Sequence, residues 1–144
     1  MIKAVTEEDF HSWNHLWQQY QQFYKIRIPE ATTKTTWQRI LNGHEGMFSA
    51  LAWFQGEAVG LVNWVFHRST WTTGDYCYLQ DLIVAPHVRN KAIGRQLVQH
   101  VYSVAEKAKC TRVYWLTHKS NKAAIHLYKK IAEDSGFIQF RKNL

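Results

Sequence analysis

With two cysteines, two prolines and two methionines in 144 residues, the chain is poor in the residues that mark several protein classes. Cys77 and Cys110 are too few for the disulfide framework of a small secreted domain, and their wide separation matches no zinc-ligand spacing. They are read as reduced, buried thiols. His11 and His15 lie four apart on a predicted helix face, but no third ligand accompanies them and no metal site is expected. No apolar stretch approaches the roughly 18 residues of a membrane span, and the first residues, Met1 to Asp9, lack a signal peptide's apolar centre. A cytoplasmic protein with no membrane partner is expected. Pro29 and Pro86 alone punctuate the chain, with no low-complexity run, linker or repeat, so residues 1–144 are expected to form a single folded domain. Acidic residues are also scarce, 11 against 18 lysines and arginines. The resulting excess of positive charge favours an anionic partner: nucleic acid, a membrane surface or a phosphate-bearing cofactor.

Aromatic residues are plentiful, with seven each of Trp, Tyr and Phe. The stretch from Tyr78 to Val98 organises the remainder. Tyr78 to Val84 is branched and aromatic enough for a strand, which Pro86 ends. Ile93, Leu97, Val98, Val101, Ala105 and Ala108 then fall at helical spacing. Between strand and helix lies Arg89-Asn90-Lys91-Ala92-Ile93-Gly94-Arg95. A loop entering a helix directs free N–H groups and the positive dipole end at one point, and here three basic side chains join them. That combination predicts a phosphate site.

Elsewhere, Ile2 to Val5 reads as a short strand. A capping box at Thr6 to Asp9 opens a helix whose Phe10, Trp13, Leu16, Trp17, Tyr20, Phe23 and Tyr24 lay an aromatic face on the core. Thr33 or Thr35 is expected to cap a second helix carrying Trp37 and Ile40. Two strands follow, Met47–Phe54 and Val59–His67, making an antiparallel meander with the organising strand. After the long helix come a strand at Thr111–Thr117, a helix at Lys122–Ala132 that Asn121 can cap, and a last strand at Phe137–Arg141. The predicted order is β-α-α-β-β-β-α-β-α-β, an α/β fold around a mixed sheet.

The motifs Val84-x-Pro86-x-x-Arg89-x-x-Ala92-x-Gly94, Asn121-x-x-Ala124-x-x-Leu127-Tyr128 and Gly136-Phe137, in this order of elements, resemble the GNAT superfamily of acetyl-CoA-dependent N-acetyltransferases. The likeness covers nearly the whole chain and is densest from Tyr78 to Phe137. Cys77 to Val84, His67 to Trp71 and Val113 to His118 are similar to the small HPA-type enzymes described for yeast histones and small amines, with likeness also to spermidine/spermine acetyltransferases. The resemblance implies acetyl-CoA as cofactor, with its pyrophosphate on Arg89 to Arg95. Its pantetheine arm would lie along the backbone of Leu82, Ile83 and Val84, and Asn121 would steady that arm. It also implies Tyr128 as the acid that protonates the departing thiolate. The acceptor would be a primary amine: a polyamine, an amino acid, an aminoglycoside-like amine or a protein lysine. A sensor that binds acetyl-CoA without turnover is the alternative. Nucleic acid ranks below both, because the basic residues gather at the cofactor loop rather than along a stripe.

Three departures from the family pattern stand out. Gln80 occupies the position of a glutamate proposed as base in the polyamine enzymes, and an amide cannot take that proton. Asp81 is the adjacent carboxylate, but in a regular strand it faces the other way unless a bulge re-aims it; Glu45 is a further candidate. Ala92 replaces a commoner glycine. Finally, only one short strand follows the last helix, where the family usually has a hairpin, so a homodimer sharing C-terminal strands is expected.

Overall fold

The computed structural model describes the backbone of residues 1–144 and the side chains of all but 89–91. Its elements run β1 (Ile2–Ala4), α1 (Phe10–Tyr24), α2 (Glu30–Asn42), β2 (Met47–Phe54), β3 (Glu57–His67), β4 (Tyr76–Val84), α3 (Ile93–Lys107), β5 (Arg112–Tyr114) and α4 (Lys122–Ile131). The five strands form one sheet in sequential order. β1 to β4 pair antiparallel, and β4 to β5, joined through α3, pair parallel. This is a GNAT-like mixed α/β fold.

Each face of the sheet has its own core. Trp13, Leu16 and Trp17 of α1 and Trp37 and Ile40 of α2 pack on Leu51, Leu61 and Ile83. The α1 aromatic face is core over Trp13 and Trp17 but not at its end: Trp13 is fully buried, stacked 5.5 Å from Trp17 and tilted against Trp37 at 5.1 Å, whereas Phe23 and Tyr24 are exposed. On the opposite face α3 lays Ile93, Leu97, Val98, Val101 and Ala105 against Ala50, Val62, Trp64, Cys77 and Leu79. Gly60 allows this close approach: a Cβ there would come within 3.0 Å of Leu97 and 3.1 Å of Ile93.

The Thr6 capping box forms, with the Thr6 N–H donating to Asp9 Oδ2 at 2.8 Å. α1 ends where Lys25 turns left-handed (φ 55°). α2 starts earlier than expected. Pro29 is its N-cap, and Thr33 and Thr35 lie inside it, because proline's fixed φ suits a helix entry without any hydroxyl cap. β5 is shorter than its sequence suggests, pairing only over Tyr76↔Arg112, Cys77↔Val113 and Tyr78↔Tyr114. The last strand, expected at Phe137–Arg141, does not form within this chain. Residues 133–144 join no ladder and lie exposed.

The strand that matters most is β4, and it does not alternate regularly. Trp64 pairs with Leu79 and Asn63 with Asp81, leaving Gln80 as an extra residue in a bulge. Such a bulge exchanges the faces of everything beyond it. Cys77 and Leu79 face α3, whereas past the bulge it is Leu82 and Val84 that pack on that side, with Ile83 among the α1 and α2 residues.

Candidate active site

β4 runs six residues past Tyr78, its last rung with β5. From Leu79 to Val84 the strand therefore keeps one edge without a neighbouring strand, and half of its backbone N–H and C=O groups on that side await a partner. The edge begins at a pair of stacked rings, Tyr78 and Tyr114, 4.9 Å apart.

Asp81 stands on the floor of this region. The Gln80 bulge turns it to the α1 face, where it is only 9% exposed. Asn63 Nδ2 donates to its Oδ2 at 3.1 Å. Asn63 is oriented in turn by Trp13, whose Nε1–H points to Asn63 Oδ1 at 3.4 Å and to Ser49 Oγ at 3.1 Å. The Tyr20 hydroxyl lies near enough to favour the charged carboxylate as well. Burial pushes the Asp81 carboxyl above the usual range, and Asn63 and Tyr20 pull it partly back. Around it, Tyr20, Tyr24 and Tyr78 have their hydroxyl pKa values raised, first by burial and then by the Asp81 charge. A single carboxylate thus sits within electrostatic reach of three tyrosines.

Tyr128, on α4, lies within electrostatic reach of Tyr24, which in turn feels Asp81. The Tyr128 ring meets Trp115 edge-on at 5.2 Å. Burial raises its hydroxyl pKa, and Tyr24, which also feels Asp81, adds to the shift. α4 is held by Tyr102, whose hydroxyl donates to the Ile131 carbonyl at 2.8 Å. Asn121 is the N-cap of α4 by position, yet its side chain makes no capping hydrogen bond. The amide is thus not explained by capping.

The cofactor positions divide. Ile83 and Ile93 are buried in the two cores, so only their backbones can face a ligand. Leu82 and Val84 lie on the free-edge segment with half-buried side chains. Ala92 is exposed in a left-handed conformation (φ 59°), the region where glycine is the usual residue. Arg95 is exposed on the first turn of α3. The expected contacts of Arg89, Asn90 and Lys91 lie outside the described residues. Gly94 lies between β4 and α4, where a Cβ would be 3.7 Å from Val84 and 3.9 Å from Leu127. Larger side chains there would fill the space beside the free edge.

Glu45, the other carboxylate considered, pairs with Arg39 at 3.2 Å in a surface hollow over α2. Cys77 is buried facing α3, its thiol pushed up to about 12 by burial, with Cys110 adding to the shift. Sequence reasoning missed Asn63 and Tyr20. Asn63 is the one polar side chain in the apolar run from Val59 to Phe66, which was the available signal.

An open strand edge, a helix N-terminus beside it with no side-chain cap from Ala92, and a glycine keeping the space clear suit an extended, phosphate-bearing thioester. The acetyltransferase (GNAT) family model matches residues 3–132. The chain belongs to this family: it is an acetyltransferase, and acetyl-CoA is its acetyl donor. The D-amino-acid N-acetyltransferase HPA3 of Saccharomyces cerevisiae is 32% identical over 145 residues, covering 99% of this chain and 90% of that protein. A thialysine N-epsilon-acetyltransferase of Mus musculus is 34% identical over 88 residues, 58% of this chain and 51% of its own length. Among solved structures, AAC(6')-Iy in complex with a CoA-linked bisubstrate analogue superposes with a TM-score of 0.87 at 16% identity, over 100% of this chain and 97% of its own. A probable acetyltransferase does so at 0.86 and 24% identity, over 100% and 97%. These last two are likenesses of fold.

Proposed function

We propose that residues 1–144 act as one cytoplasmic N-acetyltransferase domain that acetylates a primary amine by direct attack, with Asp81 as base and Tyr128 as acid. The observation that carries this reading is the Gln80 bulge, which turns Asp81 to the α1 face, where Tyr24 feels its charge and Tyr128 in turn feels Tyr24.

A free alkyl amine has a pKa near ~10 and must lose a proton before it can attack. Asp81 Oδ2, held by Asn63, is the acceptor for that proton, directly or through one water. Its raised pKa makes it a stronger base than an exposed carboxylate. The tyrosine faces around it suit a cation awaiting deprotonation. The backbone from Leu82 to Val84 and the start of α3 at Ala92 to Arg95 would hold acetyl-CoA, with Arg89, Asn90, Lys91 and Asn121 completing its site. When bound there, acetyl-CoA supplies the activated acetyl group. The Tyr128 hydroxyl, kept protonated by its raised pKa, is a donor for the thiolate that leaves. The sensor alternative drew its force from Gln80, and Asp81 supplies the carboxylate which that reading lacked.

Acceptor classes in play are a polyamine, an amino acid, an aminoglycoside-like amine and a protein lysine. The names of the yeast and mouse relatives, a D-amino-acid and a thialysine N-epsilon-acetyltransferase, favour an amine that also carries a carboxylate. Acetyl-CoA consumption against a panel of these amines tests the reading, with Asp81→Asn and Tyr128→Phe as controls. Turnover of at least one amine, lost in Asp81→Asn, is expected; no turnover with any amine would return the sensor.

A homodimer belongs to the same proposal. Phe137, Ile138 and Phe140 are 80%, 78% and 90% exposed on an extended segment without backbone pairing. Such a segment has strand chemistry but no strand to meet, and a second copy would supply one. Light scattering at micromolar concentration should return twice the chain mass; a monomer with and without acetyl-CoA would reject the dimer.

A further inference from the structure

Arg112 opens β5 opposite Tyr76, on the same face of the sheet as Asp81. Its guanidinium carbon lies 4.4 Å from the centre of the Tyr76 ring and 5.5 Å from that of Trp71. Ring contacts of this kind occupy the flat faces of a guanidinium and leave its N–H edge for an anion. Among the described residues Arg112 makes no ion pair, whereas neighbouring Arg68 is matched with Asp75 at 3.6 Å. Both arginines line a cleft of about 440 Å³ with His67, Trp71, Tyr76 and Phe137. His67 cannot compete for an anion. Its Nδ1 is engaged with the Arg68 carbonyl at 2.8 Å and its Nε2 with the Tyr114 hydroxyl at 2.7 Å.

Pairing fixes where this cleft stands relative to the base. His67 pairs with Tyr76 and Asn63 with Asp81. The two rungs are four residues apart on β3, roughly 14 Å at strand rise. Between them, on the same face, stand Tyr78 and Tyr114. A molecule lying on that tyrosine track with its amine at Asp81 would bring its far end to Arg112.

We infer that the Arg112 cleft is a carboxylate subsite of the acceptor, and that the preferred acceptor is an amine whose carboxylate lies several bonds away, as in an ω-amino acid. An α-amino acid, with ammonium and carboxylate on one carbon, cannot bridge the span. This rests on the acetyl-transfer reading, and the two fail separately in the following test.

The probes are 6-aminohexanoate, hexylamine, alanine and hexanoate. Wild-type enzyme should prefer 6-aminohexanoate over hexylamine in kcat/KM by about 10- to 100-fold, the worth of a hydrogen-bonded charge pair. Alanine should be poor. In Arg112→Gln that preference should collapse towards unity through KM, and Arg112→Lys should keep part of it. Hexanoate, which has no amine to acetylate, should shift the Trp71 indole N–H resonance in wild-type protein and not in Arg112→Gln. That shift without turnover of any amine would uphold the subsite and reject the acetyl-transfer reading. Turnover with no preference, or a preference that survives Arg112→Gln, would overturn the subsite and leave acetyl transfer standing.

Discussion

The two halves of β4 differ more from one another than two separate strands usually do. Before Gln80, Tyr76 to Leu79 has β3 on one side and β5 on the other up to Tyr78, with Cys77 and Leu79 sealed against α3. After Gln80, Asp81 to Val84 has β3 alone. Its buried side chains switch faces, and one of them is a carboxylate. The first half is satisfied by the protein itself. The second has no strand along one edge and carries a buried carboxylate, and such features cost stability unless other groups meet them. One inserted residue separates a structural strand from a chemical one.

Asp81→Asn keeps the packing and removes the base. Turnover should fall by about 100- to 1,000-fold. Stability should move in the other direction. Because the folded-state pKa of Asp81 lies above its unfolded value, its contribution is fully present below the usual carboxylate pKa. That contribution is lost as pH rises through the folded value. The neutral Asp81→Asn variant should therefore gain on wild type in melting temperature as pH increases from about 4 to 7. In wild type, the rising limb of kcat/KM should fall above the range of an exposed carboxylate. Melting curves that favour wild type at neutral pH would contradict the assigned cost of this charge.

Tyr128→Phe should lower kcat by about 100-fold while leaving the Kd for CoA within about twofold, as expected when a proton donor is lost. Equal losses in both would make Tyr128 a packing residue. Gly94→Leu acts on the space beside the free edge. The KM for acetyl-CoA should rise by about tenfold, the effect of crowding a ligand pocket by a few heavy atoms. The smallest effect concerns the sealed half. Cys77, with its thiol pushed up to about 12, should stay unreactive towards a thiol reagent at pH 8 until the protein unfolds. Rapid labelling of Cys77 in folded protein would mean that this half opens too.

Much of the frame was legible because local signals act locally. The aromatic period of α1, the apolar stripe of α3, the capping box at Thr6 and the Pro86 stop follow from rules that need only neighbours in sequence. The turn from β4 into α3 was legible for the same reason, since loop and helix start are contiguous. Where expectation and structure part, a distant partner decides. Thr33 and Thr35 looked like caps, but Pro29 already supplied the helix entry. Thr111 to Thr117 reads as one strand, yet pairing with β4 stops at Tyr114. Phe137 to Arg141 has strand composition and no strand beside it. Asn63 and Tyr20 belong to the site only because β3 and α1 converge on Asp81.

By itself the sequence determined the class and order of the elements up to α4 and the family whose pattern the motifs follow. All of these rest on periodicity and short-range chemistry. Only the tertiary structure decided that Asp81, past the extra Gln80, is buried on the α1 face beside Asn63. That outcome turns on a pairing register between β3 and β4, a relation between residues 18 apart in sequence that no local pattern encodes.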